Sequence, residues 1–350
     1  MLLRESHLKP SMQTQSERLR RRLENGGRVE VSVKTPARLH VCLIDMNGDL
    51  GRVDGSLGVA IDKPNVILSA SLSGDVEVTG DVEGRVEEMA RRFLTKINSS
   101  RGVSIRVKET IPAHVGFGSD TQLSLAVATS ISKLLNLNLT VYELAKIMGR
   151  GGTSGIGVAA FDRGGLILDG GHSFGENKEK KDFLPSSASD APPAKVLLRY
   201  DFPEDWWFII ATPKVDSRIH GGLEREIFRR LCPIPAVEVG MITRIILMKL
   251  LPSIVERDIE TFGSGLTELQ DLGFAKAARN LMHPATRACI RKMLEGGVYG
   301  AGQSSFGPTA YGLIRKNRQT RTLEAELRDL LENFGGGEVY VTGPNNKGAE

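Results

Sequence analysis

One stretch of the chain, residues 111–128 (IPAHVGFGSDTQLSLAVA), narrows the possible folds more than any other. A glycine-rich loop runs directly into a segment whose apolar residues are spaced for a helix. Gly116 and Gly118 allow the backbone to approach a ligand closely, and the N–H groups of a helix N-terminus hold phosphate without lysine. The spacing alone predicts either an anion-binding loop or a well-capped core helix, and it leaves both interpretations open.

The entrance to this helix carries an acid, whereas residues 111–118 contain no lysine or arginine. Ser119 is predicted to cap the helix, with Gln122 three residues later completing a capping box. Asp120 then falls in the first turn, where the helix dipole favours a negative charge. These three residues predict a firmly anchored helix start whether or not the loop binds an anion.

Composition and charge exclude several classes of protein. The 350 residues are 40% hydrophobic and 25% charged, which is ordinary for a globular chain with room for two domains. The net charge is +4, but residues 1–27 hold six basic and three acidic side chains, so the remainder carries only +1. This balance argues against nucleic acid as the main partner. No apolar run reaches 18 residues and the three cysteines lie far apart, so we expect a cytoplasmic protein without a membrane span or disulfide framework.

The order of periodic segments predicts an α+β fold in two domains. We expect a basic N-terminal extension at 1–27, a sheet-rich domain at 28–195 and a helix-rich domain at 196–350. Residues 177–194 are polar and rich in Ser, Pro and Lys, which is typical of an exposed loop or linker. Residues 157–171 (GVAAFDRGGLILDGG) are interpreted as two short strands around a turn. Helical spacing recurs near 222–231, 237–250, 253–269, 284–295 and 319–333.

A second glycine loop lies at residues 300–313 (GAGQSSFGPTAYGL), between two apolar runs. Taken alone, it predicts a β-hairpin connection. Two such loops in one chain, each beside the end of a strand or helix, make a shared anion site more plausible than either loop does by itself.

Three stretches together carry a family resemblance. KTPARLH (34–40), PAHVGFGSDTQLSLA (112–126) and GQSSFGPTAYG (302–312) resemble the three motifs of the GHMP kinase superfamily, in the same order. The similarity extends from about residue 30 to 345. It implies a two-domain fold with a ribosomal-S5-domain-2-like N-terminal half and a ferredoxin-like α/β C-terminal half.

The chain departs from the mevalonate-type kinases of that superfamily at four positions. Gly157 stands where those kinases carry a catalytic aspartate, and Arg38 matches a lysine of their first motif. Asp120 replaces a magnesium-binding serine, and His114 replaces a glycine. A chain without the kinase base and lysine is a poor candidate for that chemistry, although a scaffold that binds a polyphosphate–metal complex remains reasonable.

One branch of the superfamily fits these departures. Residues 38–62, 114–128, 149–175 and 221–228 resemble the β-ribofuranosylaminobenzene 5′-phosphate synthases of tetrahydromethanopterin biosynthesis. The resemblance implies that phosphoribosyl pyrophosphate condenses with 4-aminobenzoate or 4-hydroxybenzoate, with loss of carbon dioxide and pyrophosphate. The alternatives are an ATP-dependent small-molecule kinase on the same fold and a non-catalytic protein that binds a phosphate ligand. A homodimer is a possible assembly.

The resemblance also implies a set of site residues. The catalytic group would be Arg38, His114 and Asp120, with Arg38 clamping phosphate or carboxylate. Mg²⁺ would be held by Asp120 and Asp45, since it prefers hard oxygen ligands. His220 would belong to a lid. The residues that would bind substrate directly are Gly116, Gly118, Ser119, Thr121 and Gln122 around the pyrophosphate, and Gln303, Ser304 and Ser305 on the opposite wall.

Overall fold

The first half of the chain folds into two sheets covered by helices. The computed structural model describes residues 29–81, 84–215, 221–277, 279–316 and 318–350. In chain order the first half comprises β1 (Glu30–Lys34), β2 (Ala37–Asp45), β3 (Arg52–Ile61), β4 (Ile67–Ser73), β5 (Glu77–Thr79), α1 (Arg85–Lys96), β6 (Gly102–Glu109), α2 (Ser119–Leu134), α3 (Val141–Ile147), α4 (Ile156–Asp162), β7 (Leu166–Asp169), β8 (His172–Ser173) and β9 (Val196–Tyr200). One sheet has the order β1-β4-β6-β5, and the other has β2-β3-β7-β9 with β8 paired to β3.

Helix α2 is the structural centre of this half. Its residues are buried on nearly every side, whereas α1 buries only one face, through Val86, Ala90, Phe93 and Leu94. A helix that is enclosed all round has no freedom to shift relative to its neighbours. The first turn of α2, which follows the glycine loop, is therefore held rigidly in place.

The second half is a four-stranded antiparallel sheet with helices packed against it. It comprises β10 (Trp206–Pro213), α5 (Gly221–Leu231), α6 (Ala236–Ile245), a π-helical turn (Ile246–Leu250), α7 (Leu251–Glu256), α8 (Ile259–Leu269), α9 (Gly273–Ala277), a 3₁₀ turn (Arg279–Leu281), α10 (Pro284–Glu295), β11 (Gly300–Gln303), β12 (Ala310–Arg315), α11 (Arg318–Glu332) and β13 (Gly337–Thr342). The strand order β11-β12-β10-β13 is that of a ferredoxin-like sheet, as the sequence predicts.

No single helix in the described ranges is both long and apolar enough to cross a membrane. Residues 222–231 and 236–256 meet the length and composition criteria only as a pair, and the two segments are bent by 105° relative to each other.

Two predictions from the sequence are wrong. Residues 156–162 form helix α4 and not a strand, because a short apolar run does not distinguish the two periods. Helix α4 packs closely on β3, where a Cβ atom at Gly58 would lie 2.5 Å from Ile156 Cγ2. The stretch at 253–269 is not one helix, since Arg257 takes a left-handed conformation (φ 58°) between α7 and α8.

The predicted linker at 177–194 folds back onto the first half. Lys180 is buried at 4% exposure, and β9, which begins just after the linker, pairs with β7. The sheet of order β2-β3-β7-β9 therefore extends beyond residue 195. The predicted basic extension at 1–27 lies outside the described residues.

Candidate active site

A cleft of about 510 Å³ lies between the two halves. The first half lines it with the glycine loop and the start of α2, including Gly116, Gly118, Ser119, Asp120 and Thr121. The second half contributes the β11–β12 loop, through Gln303, Ser305, Phe306 and Gly307. The fold thus brings together the two glycine loops that the sequence separates by nearly 200 residues.

The two loops meet at positions where only glycine fits. Gly116 has φ 106°, and a Cβ atom there would lie 2.4 Å from the carbonyl oxygen of Ser304. Gly118 has φ 75°, and a Cβ atom there would lie 3.1 Å from Arg38 Nε. A larger residue at position 116 would push the two loops apart, so Gly116 fixes their close approach, whereas a larger residue at position 118 would press on the Arg38 side chain of β2.

Ser304 joins the walls and does not face the cleft as predicted. It is fully buried, and its hydroxyl donates to the carbonyl of Gly116 at 2.6 Å. The same hydroxyl accepts a hydrogen bond from the backbone N–H of His40 at 3.0 Å. With its donor and acceptor both used inside the protein, Ser304 positions the loops, while Gln303 and Ser305 line the cavity.

Arg38 is a half-buried cation of the cleft. It projects from β2, and its Nη1 donates to the carbonyl of Gly116 at 2.5 Å. Burial lowers its pKa to about 10, a shift opposed by the charge of Glu224. The guanidinium therefore stays charged at neutral pH and presents its remaining N–H groups beside the first turn of α2.

The predicted capping box at the helix start is absent. Gly118, in a left-handed conformation, is the N-cap residue, and it makes no side-chain cap. Gln122 is buried and donates from Nε2 to the carbonyl of Gly157 at 2.8 Å, so its side chain does not reach the cleft. The N–H groups of Thr121 and Gln122 donate to the carbonyl of Gly118. Because no side chain caps this helix end, the N–H groups that precede them are available to an anion rather than to a serine hydroxyl.

Asp120 is held by arginines. Arg85 Nη1 lies 2.8 Å from one of its carboxylate oxygens, and Arg150 Nη2 lies 3.8 Å from the other. Burial lowers the pKa of Arg150, an effect that Asp120 opposes. The acid at the entrance of α2 therefore helps to hold Arg150 beside the cleft, in addition to its favourable position in the first turn of the helix.

The predicted pairing of Asp45 with Asp120 does not form. Asp45 ends β2 and accepts hydrogen bonds from the backbone N–H groups of Asn47 at 2.8 Å and Gly48 at 3.3 Å. It is not among the cleft residues. Within the described ranges, no cluster of three or more His, Cys, Asp or Glu side chains is arranged to hold a metal. The structure therefore does not bring the two predicted Mg²⁺ ligands together, and of the two only Asp120 lines the cleft.

The histidines near the cleft differ in position and in protonation. His114 lies in the glycine loop with φ 57° and lines the cleft. His40 also lines it, but burial, followed by the charge of Arg38, lowers its pKa to about 3. His40 is therefore neutral at physiological pH and cannot act as a proton donor of ordinary strength. His220 lies outside the described residues.

The position of the missing kinase base is closely packed. A Cβ atom at Gly157 would lie 3.2 Å from Thr121 Cγ2. The start of α4 thus approaches α2 directly, and the cleft has no carboxylate at this point.

The sequence analysis missed three phenylalanines that form an aromatic wall of the cleft. Phe228 of α5, Phe274 of α9 and Phe306 of the β11–β12 loop all line the cavity. The ring centroids of Phe228 and Phe274 are 4.7 Å apart, and those of Phe274 and Phe306 are 5.4 Å apart. These residues belong to three distant segments, so no local sequence pattern predicts that they lie together.

Further charged residues of the cleft were also missed, namely Arg150, Glu224, Asp271, Arg279 and Arg287. Arg150 and Glu224 fall inside stretches that carry the family resemblance, GRGGTSG and GGLEREIF, but no local pattern gives either a role. Glu224 accepts a hydrogen bond from Ser187 at 3.3 Å. Arg38 and Arg150 thus supply two cations to the cleft, and Glu224 supplies an acid in addition to Asp120.

A buried ionic cluster supports the floor of the cleft. Lys180 Nζ lies 2.9 and 3.1 Å from the carboxylate oxygens of Asp54, whose Oδ2 is also 2.6 Å from His172 Nδ1. The ammonium also donates to Thr153 Oγ1 at 3.3 Å and to the carbonyl of Leu184 at 3.0 Å. Thr153 and Pro185 line the cleft, so this cluster fixes two of its segments from beneath.

Comparison with known proteins gives strong matches over most of the chain. The models of the GHMP kinases N terminal domain and the GHMP kinases C terminal domain match residues 84–165 and 250–333. The chain is 43% identical to beta-ribofuranosylphenol 5′-phosphate synthase of Methanothermobacter thermautotrophicus, over 92% of this chain and 98% of that protein. It is 41% identical to the protein of the same name from Methanocaldococcus jannaschii, over 90% and 98%.

Among solved structures, the chain is similar to a homoserine kinase from Cytophaga hutchinsonii. The TM-score is 0.64 at 19% identity, covering 92% of this chain and 96% of that one. This likeness supports the fold alone.

Proposed function

The chain belongs to the beta-ribofuranosylphenol 5′-phosphate synthases, enzymes of the pentosyltransferase type built on the GHMP kinase fold. From that premise we propose that it condenses phosphoribosyl pyrophosphate with a para-substituted benzoate, releasing pyrophosphate and carbon dioxide. The family name describes a phenol product, which favours 4-hydroxybenzoate over 4-aminobenzoate as the acceptor.

One observation carries this proposal: a single cleft joins a polyanion-binding wall to an aromatic wall. The start of α2, Arg38 and Arg150 form the first wall, and three phenylalanines form the second. Helix N-termini and arginines suit the phosphates of the donor. Phenylalanine rings suit a flat aromatic acceptor, which they contact in offset or edge-to-face geometry.

The proposed reaction balances without a general base. The bond between the anomeric carbon and pyrophosphate breaks, and its electron pair leaves with the pyrophosphate. The ring carbon that bears the carboxylate then bonds to the anomeric carbon. The bond between this ring carbon and the carboxylate breaks last. Carbon dioxide leaves, and the electron pair of the broken bond restores the aromatic ring. No catalytic carboxylate is needed at position 157, in keeping with the glycine found there.

The protein's part in this scheme is electrostatic and steric. Arg38, Arg150 and the N–H groups of α2 would stabilise the charge that develops on the leaving pyrophosphate. The phenylalanine wall would keep water from the electron-poor anomeric carbon and hold the acceptor ring above it. Mg²⁺ enters the proposal as a counter-ion carried by the diphosphate substrate.

A stoichiometric assay tests the proposal. Phosphoribosyl pyrophosphate with carboxyl-labelled 4-hydroxybenzoate should yield one labelled carbon dioxide per pyrophosphate, and 4-aminobenzoate gives the comparison. ATP-dependent phosphorylation of a small alcohol without release of pyrophosphate would support the kinase alternative instead. Thermal stabilisation by phosphoribosyl pyrophosphate without turnover would support a binding protein.

Replacing Phe306 by leucine should raise KM for the benzoate by about 3- to 10-fold, the size expected from losing aromatic contacts. KM for phosphoribosyl pyrophosphate should stay within about 2-fold, because the donor contacts the other wall. Steady-state kinetics with each substrate varied in turn measures both values. The matched control is Phe334→Leu, which is not among the cleft residues; equal effects on both substrates would contradict the assignment of the aromatic wall.

Replacing Asp120 by asparagine should raise KM for the donor by about 3- to 10-fold, because Arg150 loses its ion pair with the carboxylate. The Mg²⁺ concentration for half-maximal activity should stay within about 2-fold, since the carboxylate is held by arginines. Mg²⁺ titrations at saturating donor test this. A much larger Mg²⁺ requirement in the variant would restore Asp120 as a metal ligand.

A further inference from the structure

A buried carboxylate lies behind the cleft wall that the first half contributes. Asp169 ends β7 and is fully buried. Its Oδ2 accepts hydrogen bonds from Ser56 Oγ and from the backbone N–H of Gly155 at 2.8 Å. Its Oδ1 accepts from the N–H of Gly171 at 3.0 Å. These partners are all neutral, so they offset only part of the hydration that a carboxylate loses on burial.

Two serine hydroxyls connect this carboxylate to the cleft. Ser56 Oγ lies 2.7 Å from Ser154 Oγ, and Ser154 lines the cavity. A hydroxyl has one hydrogen and an ionised carboxylate can only accept, so Ser56 donates to Asp169 and Ser154 donates to Ser56. Ser154 Oγ also accepts from the N–H of Ile156 at 3.3 Å. These bonds leave it a second lone pair with which to accept a hydroxyl group in the cleft.

The ionisation of Asp169 suits a group that exchanges a proton. Burial raises its pKa to about 6, the hydrogen bonds from Ser56 and the two N–H groups oppose this shift, and the charge of Asp54 adds to it. The thiol of Cys42 on β2 also interacts with Asp169, but burial raises the pKa of that thiol to about 12 and keeps it neutral. Asp169 is therefore mostly ionised at neutral pH, and it accepts a proton more readily than an exposed aspartate does.

The acceptor of the proposed reaction has a proton to exchange. When the ring carbon that bears the carboxylate bonds to the anomeric carbon, the ring loses electron density and the para hydroxyl becomes strongly acidic. Once carbon dioxide has left, the same oxygen belongs to a phenol, whose pKa is about 10. A carboxyl group with a pKa of about 6 lies between these two acidities, so it can accept the proton in the first stage and return it in the second.

We propose that Ser154, Ser56 and Asp169 form a proton relay that takes the para-hydroxyl proton of the acceptor during ring attack and returns it after decarboxylation. This inference rests on the proposed function. Ser154 is the catalytic residue that contacts the acceptor, while Ser56 and Asp169 act through it. The family resemblance gives no role to any of the three.

The relay balances in both directions. The O–H bond of the acceptor breaks, and its electron pair forms a carbonyl at the para carbon. The acceptor proton passes to Ser154 Oγ, the Ser154 proton to Ser56 Oγ, and the Ser56 proton to Asp169 Oδ2. When the bond to the carboxylate breaks, its electron pair restores the ring, and the para oxygen takes a proton back through the same chain. No proton is consumed overall, so the stoichiometry of the reaction is unchanged.

Removing either hydroxyl from the full-length chain tests the relay. With 4-hydroxybenzoate, Ser154→Ala and Ser56→Ala should each lower kcat by about 100-fold, the lower end of the range for acid–base catalysis. KM for phosphoribosyl pyrophosphate should stay within about 2-fold. Ser154→Thr, which keeps a hydroxyl, should recover at least about 10-fold of the loss. The control is Ser253→Ala, a buried serine of α7 that donates to the carbonyl of Leu250 and is not among the cleft residues.

Acceptors of graded acidity separate proton transfer from a structural role. Fluorine beside the para hydroxyl makes that hydroxyl more acidic, so 3-fluoro- and 3,5-difluoro-4-hydroxybenzoate should depend less on the relay. The loss of kcat in Ser154→Ala should therefore shrink by about 5-fold or more along this series. An equal loss with every acceptor would mean that Ser154 and Asp169 only anchor the start of α4, and full activity in both alanine variants would likewise overturn the relay. If the unaltered protein releases no pyrophosphate and carbon dioxide with either benzoate, the proposed function fails, and the relay fails with it.

Discussion

Replacing Arg38 by lysine is expected to lower kcat/KM for the ribosyl donor by about 100-fold or more, the largest loss of activity we expect from a single conservative change. Lysine keeps the charge but presents it as a point and not as a planar set of donors. It would also lose the hydrogen bond from Nη1 to the carbonyl of Gly116, which holds the glycine loop against β2. Steady-state kinetics with the donor varied at saturating benzoate measures the loss.

The control for this change is Arg163→Lys, because the Arg163 side chain is exposed and pairs with its neighbour Asp162 on the surface. That variant should keep its activity within about 2-fold. KM for the benzoate should change less than KM for the donor in Arg38→Lys. If Arg38→Lys retains full activity, the polyanion-binding wall does not act through this guanidinium.

Replacing Lys180 by methionine should lower the free energy of unfolding by about 3–5 kcal/mol, the usual cost of leaving one partner of a buried ion pair unmatched. Asp54 would keep a buried carboxylate beside His172 without its ammonium partner, and both partners of the pair are less than 5% exposed. Urea denaturation followed by circular dichroism measures the change. Activity should fall as well, because Lys180 holds Thr153 and the carbonyl of Leu184 at the floor of the cleft.

Two comparisons separate charge from packing at this position. Lys178→Met alters an exposed lysine two residues away and should cost less than about 0.5 kcal/mol. Adding Asp54→Asn to Lys180→Met should recover part of the lost stability, because it removes the unmatched charge. If the double variant loses as much free energy of unfolding as the two single variants lose together, Lys180 and Asp54 are not energetically coupled.

The sequence predicted the parts of the molecule whose cause is local. Alternating strands, the helix beginning at Ser119, and the glycines at 116 and 118 all follow from periodicity or from backbone conformations that only glycine adopts easily. The extended motifs predicted the fold family and the class of enzyme, because such long ordered matches constrain a whole domain at once. Helix α4 was missed because its run is too short to distinguish the two periods.

The contacts between distant side chains became known only from the tertiary structure. Nothing near Asp120 in the sequence indicates that Arg85 and Arg150 form ion pairs with its carboxylate, or that Asp45 lies outside the cleft. The phenylalanine wall and the Lys180 cluster likewise join residues from separate segments. The positions of the loops and of the helix could be predicted from the sequence because they depend on near neighbours along the chain. The family could be predicted because its motifs are long and occur in a fixed order. The roles of the charged residues were decided by the fold, because charges act through distance in space and burial, which sequence separation does not measure.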